Sequence, residues 1–215
     1  MSVFMIPTFN EDNFHASCDT VAATDEDLRN IINKHGYPPF WSRTPTFATL
    51  IHIILEQQVS LASAKAAFLK LQEKVGHITP EKLLLLTDGE LKACYFSRQK
   101  IIYARHLATA LADGNLTIEV LETMQNDEIR TALKKLKGIG DWTVDVYLMM
   151  VLHRTDLFPP GDVALMTSIK EIKKLPKNTP GETLLSIAEQ WKPYRTIAAY
   201  LVWHAYLEKR KLKIL

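Results

Sequence analysis

The sequence is poor in cysteine and has no long apolar run. Two cysteines, Cys18 and Cys94, are too few for a disulfide scaffold, a four-cysteine zinc site or a cysteine-held iron–sulfur cluster. No apolar stretch approaches the roughly 20 residues that a membrane-spanning helix requires. The first residues have neither a basic start nor an unbroken apolar segment, so no secretory signal is expected. We therefore expect a soluble intracellular protein without a cysteine-bound metal.

The sequence also lacks a strong excess of charge of one sign. Lysine and arginine number 26 against 24 aspartate and glutamate residues, which leaves a formal net charge of +2. This balance is weak evidence for a nucleic-acid partner. Basic residues cluster at 134–137, 170–174 and 209–213, although such clusters are more often solvated helix faces than phosphate contacts. A nearly neutral protein can still hold DNA where backbone amides contribute to the binding.

Helical periodicity dominates the chain, and strand-like alternation is nearly absent. We predict about ten to twelve helices with short connections, and therefore an all-α protein. Thr24 and Asp27 have the spacing of a capping box and predict the start of the first helix. The predicted helices cover residues 24–34, 46–60, 61–75, a segment starting near 80, 88–95, 97–113, 117–123, 126–136, 142–152, 162–175, 183–190 and 193–209.

A short hairpin, residues 136–140 (Leu-Lys-Gly-Ile-Gly), separates two predicted helices. Its glycines permit a tight turn and leave no Cβ in the way of a foreign backbone. The next helix starts at the hairpin, so its unpaired N–H groups face any approaching anion. A DNA phosphate fits this geometry without base contacts, while Ile139 can turn inward to the core. Two glycines alone are weak evidence for DNA binding and are more typical of an ordinary connection between helices, so this alternative stays open.

Asp162 stands before an apolar helical segment that begins at Val163. The simplest interpretation is a helix N-cap, although Leu165 stands where a capping box would have glutamate. A helix N-terminus also favours an ionised carboxylate. Such a group can stabilise the oxocarbenium-like sugar formed in glycosidic cleavage, or align a water molecule for attack. The cap and a catalytic role are therefore compatible.

The hairpin and the downstream aspartate together resemble the helix-hairpin-helix (HhH-GPD) DNA glycosylase superfamily. The closest similarity is to its 3-methyladenine DNA glycosylase II branch. Three further segments resemble that branch: residues 54–60 (Ile-Leu-Glu-Gln-Gln-Val-Ser), residues 97–100 (Ser-Arg-Gln-Lys), and residues 191–196 (Trp-Lys-Pro-Tyr-Arg-Thr), which run on to Trp203. The resemblance covers about residues 40–207 in order.

The resemblance implies a monofunctional hydrolase of base excision repair. Such an enzyme binds double-stranded DNA, flips out an alkylated base of the 3-methyladenine type and hydrolyses the N-glycosidic bond, leaving an abasic site. Two closely packed helical lobes are implied, with the base pocket in the cleft between them. Residues 44–155 would form a six-helix barrel-like lobe with the helix-hairpin-helix at about 126–152, and residues 1–43 with 156–215 would form the second.

The resemblance also implies partners and a location. We expect a monomer that binds damaged DNA and no membrane. It would be cytoplasmic, associated with the nucleoid in a bacterium, or nuclear in a eukaryote. No organic cofactor or iron–sulfur cluster is expected, but a Na⁺ or K⁺ ion would be held by main-chain oxygens of Lys134, Leu136 and Ile139.

Residue roles follow from the same resemblance, and Asp162 would be the catalytic carboxylate. Aromatic rings suit a flat cationic base, although aromatic residues at helical spacing are more often part of a core. The base-pocket candidates are Trp142, Tyr147, Trp203 and Glu56. The candidate DNA contacts are Gln57, Gln58, Ser60, Arg98, Lys137, Gly138, Ile139 and Gly140.

Three positions depart from relatives. Relatives that also cut the DNA backbone have a lysine where this chain has Trp142, so no Schiff base is expected. Gln58 stands where some relatives place an aliphatic side chain that fills the vacated stack, and Glu56 adds a charge where relatives often have glycine or serine. Two alternatives remain: a non-catalytic helix-hairpin-helix DNA-binding module and, less favoured, a bifunctional glycosylase/lyase acting on oxidised bases.

Overall fold

A computed structural model describes residues 7–212 of the 215-residue chain. The start of the chain, which bears on the expected lack of a secretory signal, and Lys213 of the C-terminal basic cluster lie outside the described residues. Within them the structure has thirteen helices and no strand, which confirms the predicted all-α class. The helices are α1 (Glu11–Thr24), α2 (Glu26–His35), α3 (Phe47–Glu56), α4 (Leu61–Val75), α5 (Pro80–Leu85), α6 (Asp88–Ala93), α7 (Arg98–Ala112), α8 (Ile118–Leu121), α9 (Asn126–Lys134), α10 (Asp141–Met150), α11 (Val163–Ile172), α12 (Gly181–Glu189) and α13 (Arg195–Arg210).

Side-chain caps explain where many helices begin. Five hydroxyl residues each accept a hydrogen bond from the backbone N–H three positions further on, which satisfies one of the donors that a helix start leaves unpaired. These residues are Thr46, Ser60, Thr79, Thr87 and Ser97. Between residues 7 and 212, no helix has the length and apolarity needed to cross a membrane.

Helix α1 was not predicted from the sequence. Asn10 caps it through reciprocal hydrogen bonds with Asn13, at 2.9 and 3.0 Å. The helical period was nevertheless present, because the buried side chains recur at i, i+4, i+7 and i+8. They are Phe14, Cys18, Val21 and Ala22. Many polar residues between them obscure this short apolar stripe in the sequence.

The described chain divides into two units by its internal contacts. One consists of residues 7–42 and 148–212, and the other of residues 43–147. The sequence interpretation placed the second boundary after residue 155, whereas the contacts place it inside α10. One reason is that the hydroxyl of Tyr200 donates a hydrogen bond to the carbonyl oxygen of Met149, at 3.2 Å.

Helix α3 is the buried centre of the unit formed by residues 43–147. Seven of its ten residues are buried, as its nearly unbroken apolar sequence predicts. It packs against α4 and α7, and α7 in turn packs against α5 and α6. The thiol of Cys94 is buried in this unit, and burial raises its pKa.

Helix α13 has the corresponding place in the other unit. Its residues 196–204 are all buried, and it packs against α1, α2, α11 and α12. The small side chains of Ala198 and Ala199 let neighbouring helices approach closely. Cys18 on α1 is fully buried in this unit, and burial raises the pKa of its thiol to about 12.

Asp25, and not Thr24 as the capping-box spacing predicted, caps α2. Its carboxylate accepts hydrogen bonds from the N–H groups of Asp27 and Leu28. It also accepts two bonds from the ammonium group of Lys173, at 2.7 and 2.8 Å, and one from the indole of Trp191, at 2.8 Å. Burial acts to raise the pKa of Asp25, but the bonds from Lys173 and Trp191 outweigh it and hold this pKa below its ordinary value.

Replacing Asp25 by asparagine keeps a helix cap but removes the charge that Lys173 and Trp191 bind. We expect Asp25→Asn to lower the free energy of unfolding near neutral pH by about 1–3 kcal/mol. A lowered pKa stabilises the fold above the unfolded value of about 3.9, and this stabilisation is lost as the pH falls through the folded pKa. Denaturant unfolding measured from pH 7 to pH 3 should therefore show that the free energy of unfolding falls less steeply in the variant than in the wild type. Equal slopes would contradict this account of Asp25.

Candidate active site

The hairpin joins α9 to α10 as the sequence predicted. The N–H of Ile139 donates a hydrogen bond to the carbonyl oxygen of Leu136, at 3.1 Å, and closes the turn. Ile139 is buried, which confirms its expected orientation toward the core, whereas Lys137 and Gly140 are exposed. The exposed side of the hairpin therefore consists of a cation and a glycine backbone at the start of α10.

The two glycines of the hairpin have different environments. Gly138 has a φ of +89°, and a Cβ there would lie 2.0 Å from the ring of Tyr103. Gly140 has no atom within 4 Å of such a Cβ. Gly138 is thus required by the packing of the protein itself, and only Gly140 leaves space for a foreign backbone.

Charged side chains connect the two helices of the hairpin. Asp141, the first residue of α10, pairs with Lys134 and Arg130 at 2.8 and 3.0 Å, and these bonds hold its pKa below the ordinary value. Arg130 also pairs at 2.6 Å with the nearly buried Asp145. Burial raises the pKa of Asp145, and Arg130 opposes this effect. The acidic residue at the start of α10 is therefore neutralised by cations from α9.

Helix α3 ends at Glu56 and does not continue to Ser60 as predicted. The connection that follows, residues 57–59, is called the α3 turn below. Gln58 adopts a φ of +57° and is exposed, while the hydroxyl of Ser60 caps α4 and contacts that of Ser63. The left-handed backbone at Gln58 breaks the helix and directs this side chain outward.

The amide of Gln57 points into the protein. Its Nε2 donates hydrogen bonds to the carbonyl oxygen of Gly138 and to the hydroxyl of Thr143, both at 2.9 Å. Gln57 therefore joins the α3 turn to the hairpin within one unit. A role for Gln57 as a DNA contact remains a prediction, but both amide hydrogens are already bound inside the protein.

The carboxylate of Glu56 forms a buried ion pair with Arg43. The two side chains make two bonds, at 2.7 and 2.8 Å, and are 8% and 11% exposed. Lys100 donates a hydrogen bond to the carbonyl oxygen of Leu55 one residue earlier. Burial lowers the pKa of Lys100, and Glu56 acts in the opposite direction. The extra charge predicted for Glu56 is therefore balanced by Arg43.

Asp162 caps α11, as the sequence predicted. Its Oδ1 accepts hydrogen bonds from the N–H of Leu165, at 2.8 Å, and from the indole N–H of Trp203, at 3.1 Å. Trp203 lies on α13, is 5% exposed and packs against Tyr200. Two rigid helices thus fix the orientation of one half-buried carboxylate.

The other predicted site residues differ in how far they are exposed to solvent. Tyr147 is fully buried, and its hydroxyl has no hydrogen-bond partner among the described residues. A ring without exposed surface offers no face to a base, so the pocket role expected of Tyr147 is not supported. Trp142, the second residue of α10, is half-buried, and Arg98 is exposed at the start of α7. Their roles stay predictions.

A metal ion can be held by side chains or by main-chain oxygens. No group of three or more histidine, cysteine, aspartate or glutamate residues in the described range is arranged to hold a metal. The main-chain oxygens of Lys134, Leu136 and Ile139 remain candidates for a monovalent cation. The Leu136 oxygen accepts the N–H of Ile139, and its second lone pair is compatible with an ion.

Sequence reasoning missed several residues that organise these sites. They are Arg43, Tyr103, Arg130, Thr143 and Asp145. Of these residues, only Asp145 carried a local signal in the sequence, because Asp141 and Asp145 are one helical turn apart and share a face. The other residues meet partners that are distant in the sequence.

The chain belongs to the HhH-GPD superfamily of base excision DNA repair proteins, whose family model matches residues 51–193.

The relatives named 3-methyladenine DNA glycosylases include two that are similar over most of this chain. DNA-3-methyladenine glycosylase 1 of Schizosaccharomyces pombe is 29% identical, with 85% of this chain and 83% of the relative covered. The Bacillus subtilis protein YfjP, described as a candidate DNA-3-methyladenine glycosylase, is 27% identical over 83% of this chain and 65% of its own length. The predicted family and branch are confirmed.

A solved structure has the same fold. It is the 3-methyladenine DNA glycosylase of Schizosaccharomyces pombe in complex with abasic DNA, which matches with a TM-score of 0.83 and 28% identity. The match covers 93% of this chain and 98% of that one.

The two glycines provide a matched pair of variants. Gly138→Ala introduces a Cβ against the Tyr103 ring and a strained left-handed backbone, so we expect a loss of at least about 1–3 kcal/mol of unfolding free energy. Gly140→Ala meets open space and should change stability by less than about 0.5 kcal/mol. Thermal and denaturant unfolding would measure both. Equal destabilisation by the two substitutions would contradict the different roles assigned to these glycines.

Proposed function

We propose that this protein is a monofunctional DNA glycosylase that removes alkylated bases of the 3-methyladenine type from double-stranded DNA. It acts as a monomer, where the genomic DNA of its cell lies, and leaves an abasic site for base excision repair. The observation that carries the proposal is the fixed carboxylate of Asp162, in a chain that belongs to a base excision repair superfamily. The names of its relatives support the choice of lesion.

The proposed reaction needs one well-placed carboxylate. Water adds to C1′ of the deoxyribose, the glycosidic electron pair leaves with the base, and the proton released from water passes to the carboxylate or to solvent. Negative charge at Asp162 stabilises the developing positive charge on the sugar or aligns the water molecule. A purine methylated at N3 or N7 is already cationic, so it departs as a neutral base without a general acid.

DNA would be bound by the hairpin and by the α3 turn. The exposed backbone at Gly140 and the side chain of Lys137 would contact a phosphate, and Gln58 would enter the space that the flipped base leaves. Trp142 stands in place of the lysine of lyase relatives, which supports hydrolysis without a Schiff base. A Na⁺ or K⁺ ion held by the oxygens of Lys134, Leu136 and Ile139 would stiffen the hairpin.

Asparagine at position 162 separates catalysis from capping. It caps a helix about as well as aspartate, so Asp162→Asn should fold and bind DNA normally. Release of methylated purines from duplex DNA should fall by about 10²-fold or more, because the charge opposite the sugar is gone. If neither the wild type nor the variant released any alkylated or deaminated base while both bound DNA, the enzyme proposal would fail in favour of a non-catalytic binding module.

Trp203 should influence the rate through Asp162. Trp203→Phe keeps an apolar ring but removes the N–H that holds Oδ1, so we expect a roughly tenfold slower single-turnover rate with little change in DNA affinity. Trp191→Phe is the matched control, because it removes an indole bond to the other helix-capping aspartate, Asp25. The control should lower stability and leave the rate near that of the wild type. Equal effects of both variants on the rate would refute a specific role for Trp203.

A further inference from the structure

Two segments with proposed DNA contacts are joined by one side chain. Gln57 belongs to the α3 turn, and its two bonding partners belong to the hairpin region, more than 80 positions further along the chain. Both bonds are partly buried and measure 2.9 Å. The exposed Gln58 directly follows Gln57 in the sequence, and the exposed Gly140 is two residues after Gly138.

The chemistry of the partners fixes the orientation of the Gln57 amide. A backbone carbonyl can only accept a hydrogen bond, so the nitrogen end must face Gly138. The second hydrogen of the same nitrogen reaches the hydroxyl of Thr143, which then acts as an acceptor. Glutamate, leucine or a reversed amide cannot make both bonds, which makes the identity of this residue specific.

The remainder of the α3 turn is held from the other side. Lys100 binds the carbonyl oxygen of Leu55, and Arg43 binds Glu56. These contacts anchor the end of α3, whereas Gln57 sets the position of the turn relative to the hairpin. Since the backbone at Gln58 is in the left-handed region, the direction of its side chain depends on how its neighbours are held.

We propose that Gln57 is a positioning residue that couples the hairpin to the α3 turn, so that gripping a phosphate places Gln58 at the vacated base position. This inference rests on the proposed function. Flipping costs the stacking and pairing of one base, and a side chain can offset that cost only if it enters the gap in the correct place. A displacement of about 1 Å between contact points is enough to impair such a step.

A fluorescent duplex tests the coupling independently of the chemistry. The duplex carries a tetrahydrofuran abasic analogue opposite 2-aminopurine, whose fluorescence reports insertion into the gap. Gln57→Leu should bind this duplex within about threefold of the wild-type affinity, because the hairpin still grips phosphate, but should lose most of the fluorescence change. Its single-turnover release of methylated purines at saturating enzyme should fall about tenfold.

Thr143 provides the second arm of the experiment, because it is only 2% exposed and cannot contact DNA directly. Thr143→Val removes the hydroxyl that accepts the second bond from Gln57, with little change in side-chain shape. It should therefore reproduce part of the loss in fluorescence change and in release rate. In the Gln57→Leu background it should cause no further loss, which a double-mutant cycle measures. Trp203→Phe is the control, because it acts on the rate through Asp162, and its effect on the release rate should add to that of Thr143→Val. Additive effects of Gln57→Leu and Thr143→Val would overturn the proposal.

A pH profile distinguishes coupling from a loss of stability. In Gln57→Glu the ionised carboxyl repels the Gly138 oxygen, while its protonated form can donate one hydrogen bond there. Partial burial raises the pKa of this introduced carboxyl above about 4.3. The fluorescence change and the release rate of Gln57→Glu, each divided by the wild-type value at the same pH, should be lowest above that pKa and should partly recover below it. Gln57→Leu should show no such reversal, and a parallel recovery in both variants would contradict the coupling.

The outcomes for the two proposals are separable. If the wild type releases no alkylated base but the fluorescence and the double-mutant cycle behave as expected, the glycosylase proposal fails and the coupling stands. If the wild type releases bases while Gln57→Leu lowers affinity and rate by the same factor, Gln57 contacts DNA directly and the coupling fails. Thermal unfolding of each variant shows that the comparison is made on folded protein.

Discussion

The shape of the hairpin depends on the packing of Tyr103 against Gly138. The Tyr103 ring occupies the place where a Cβ of residue 138 would lie, so only glycine fits there. This contact holds the hairpin against α7 and directs the Gly138 carbonyl toward Gln57. Gln57 carries the constraint to the end of α3, a helix with seven of its ten residues buried. The exposed backbone proposed to bind phosphate is thereby fixed by a chain of contacts that begins in the core, which would limit the conformational entropy lost on binding.

In the unit formed by residues 43–147, the charged side chains form ion pairs that largely cancel one another. Arg43 balances Glu56, and the acidic start of α10 is neutralised from α9. Removing one member of the buried Arg43–Glu56 pair would leave its partner uncompensated, which is costly at low local polarity. Lys137 is exposed, and within residues 7–212 it forms no ion pair with a carboxylate. A chain of net charge +2 can thus present positive potential at one place without an overall excess.

Local chemistry was predictable from the sequence, and long-range pairing was not. The cap at Asp162 and the inward orientation of Ile139 follow from neighbouring residues, and both are present in the structure. Helix α1 also had the required period and was within reach of the same reasoning. By contrast, the inward amide of Gln57 depends on residues 81 and 86 positions away. Such a contact results from tertiary packing, which no short pattern encodes.

The burial of both cysteines has a consequence for the environment in which this protein would work. Methylating agents that damage DNA also react with thiolates, which are far stronger nucleophiles than thiols. Cys18 and Cys94 are the only cysteines of the chain, both are buried, and both have raised pKa values. Neither presents a ready thiolate at neutral pH. A repair protein built in this way is shielded from the agents that produce its proposed substrate, and can persist while the damage accumulates.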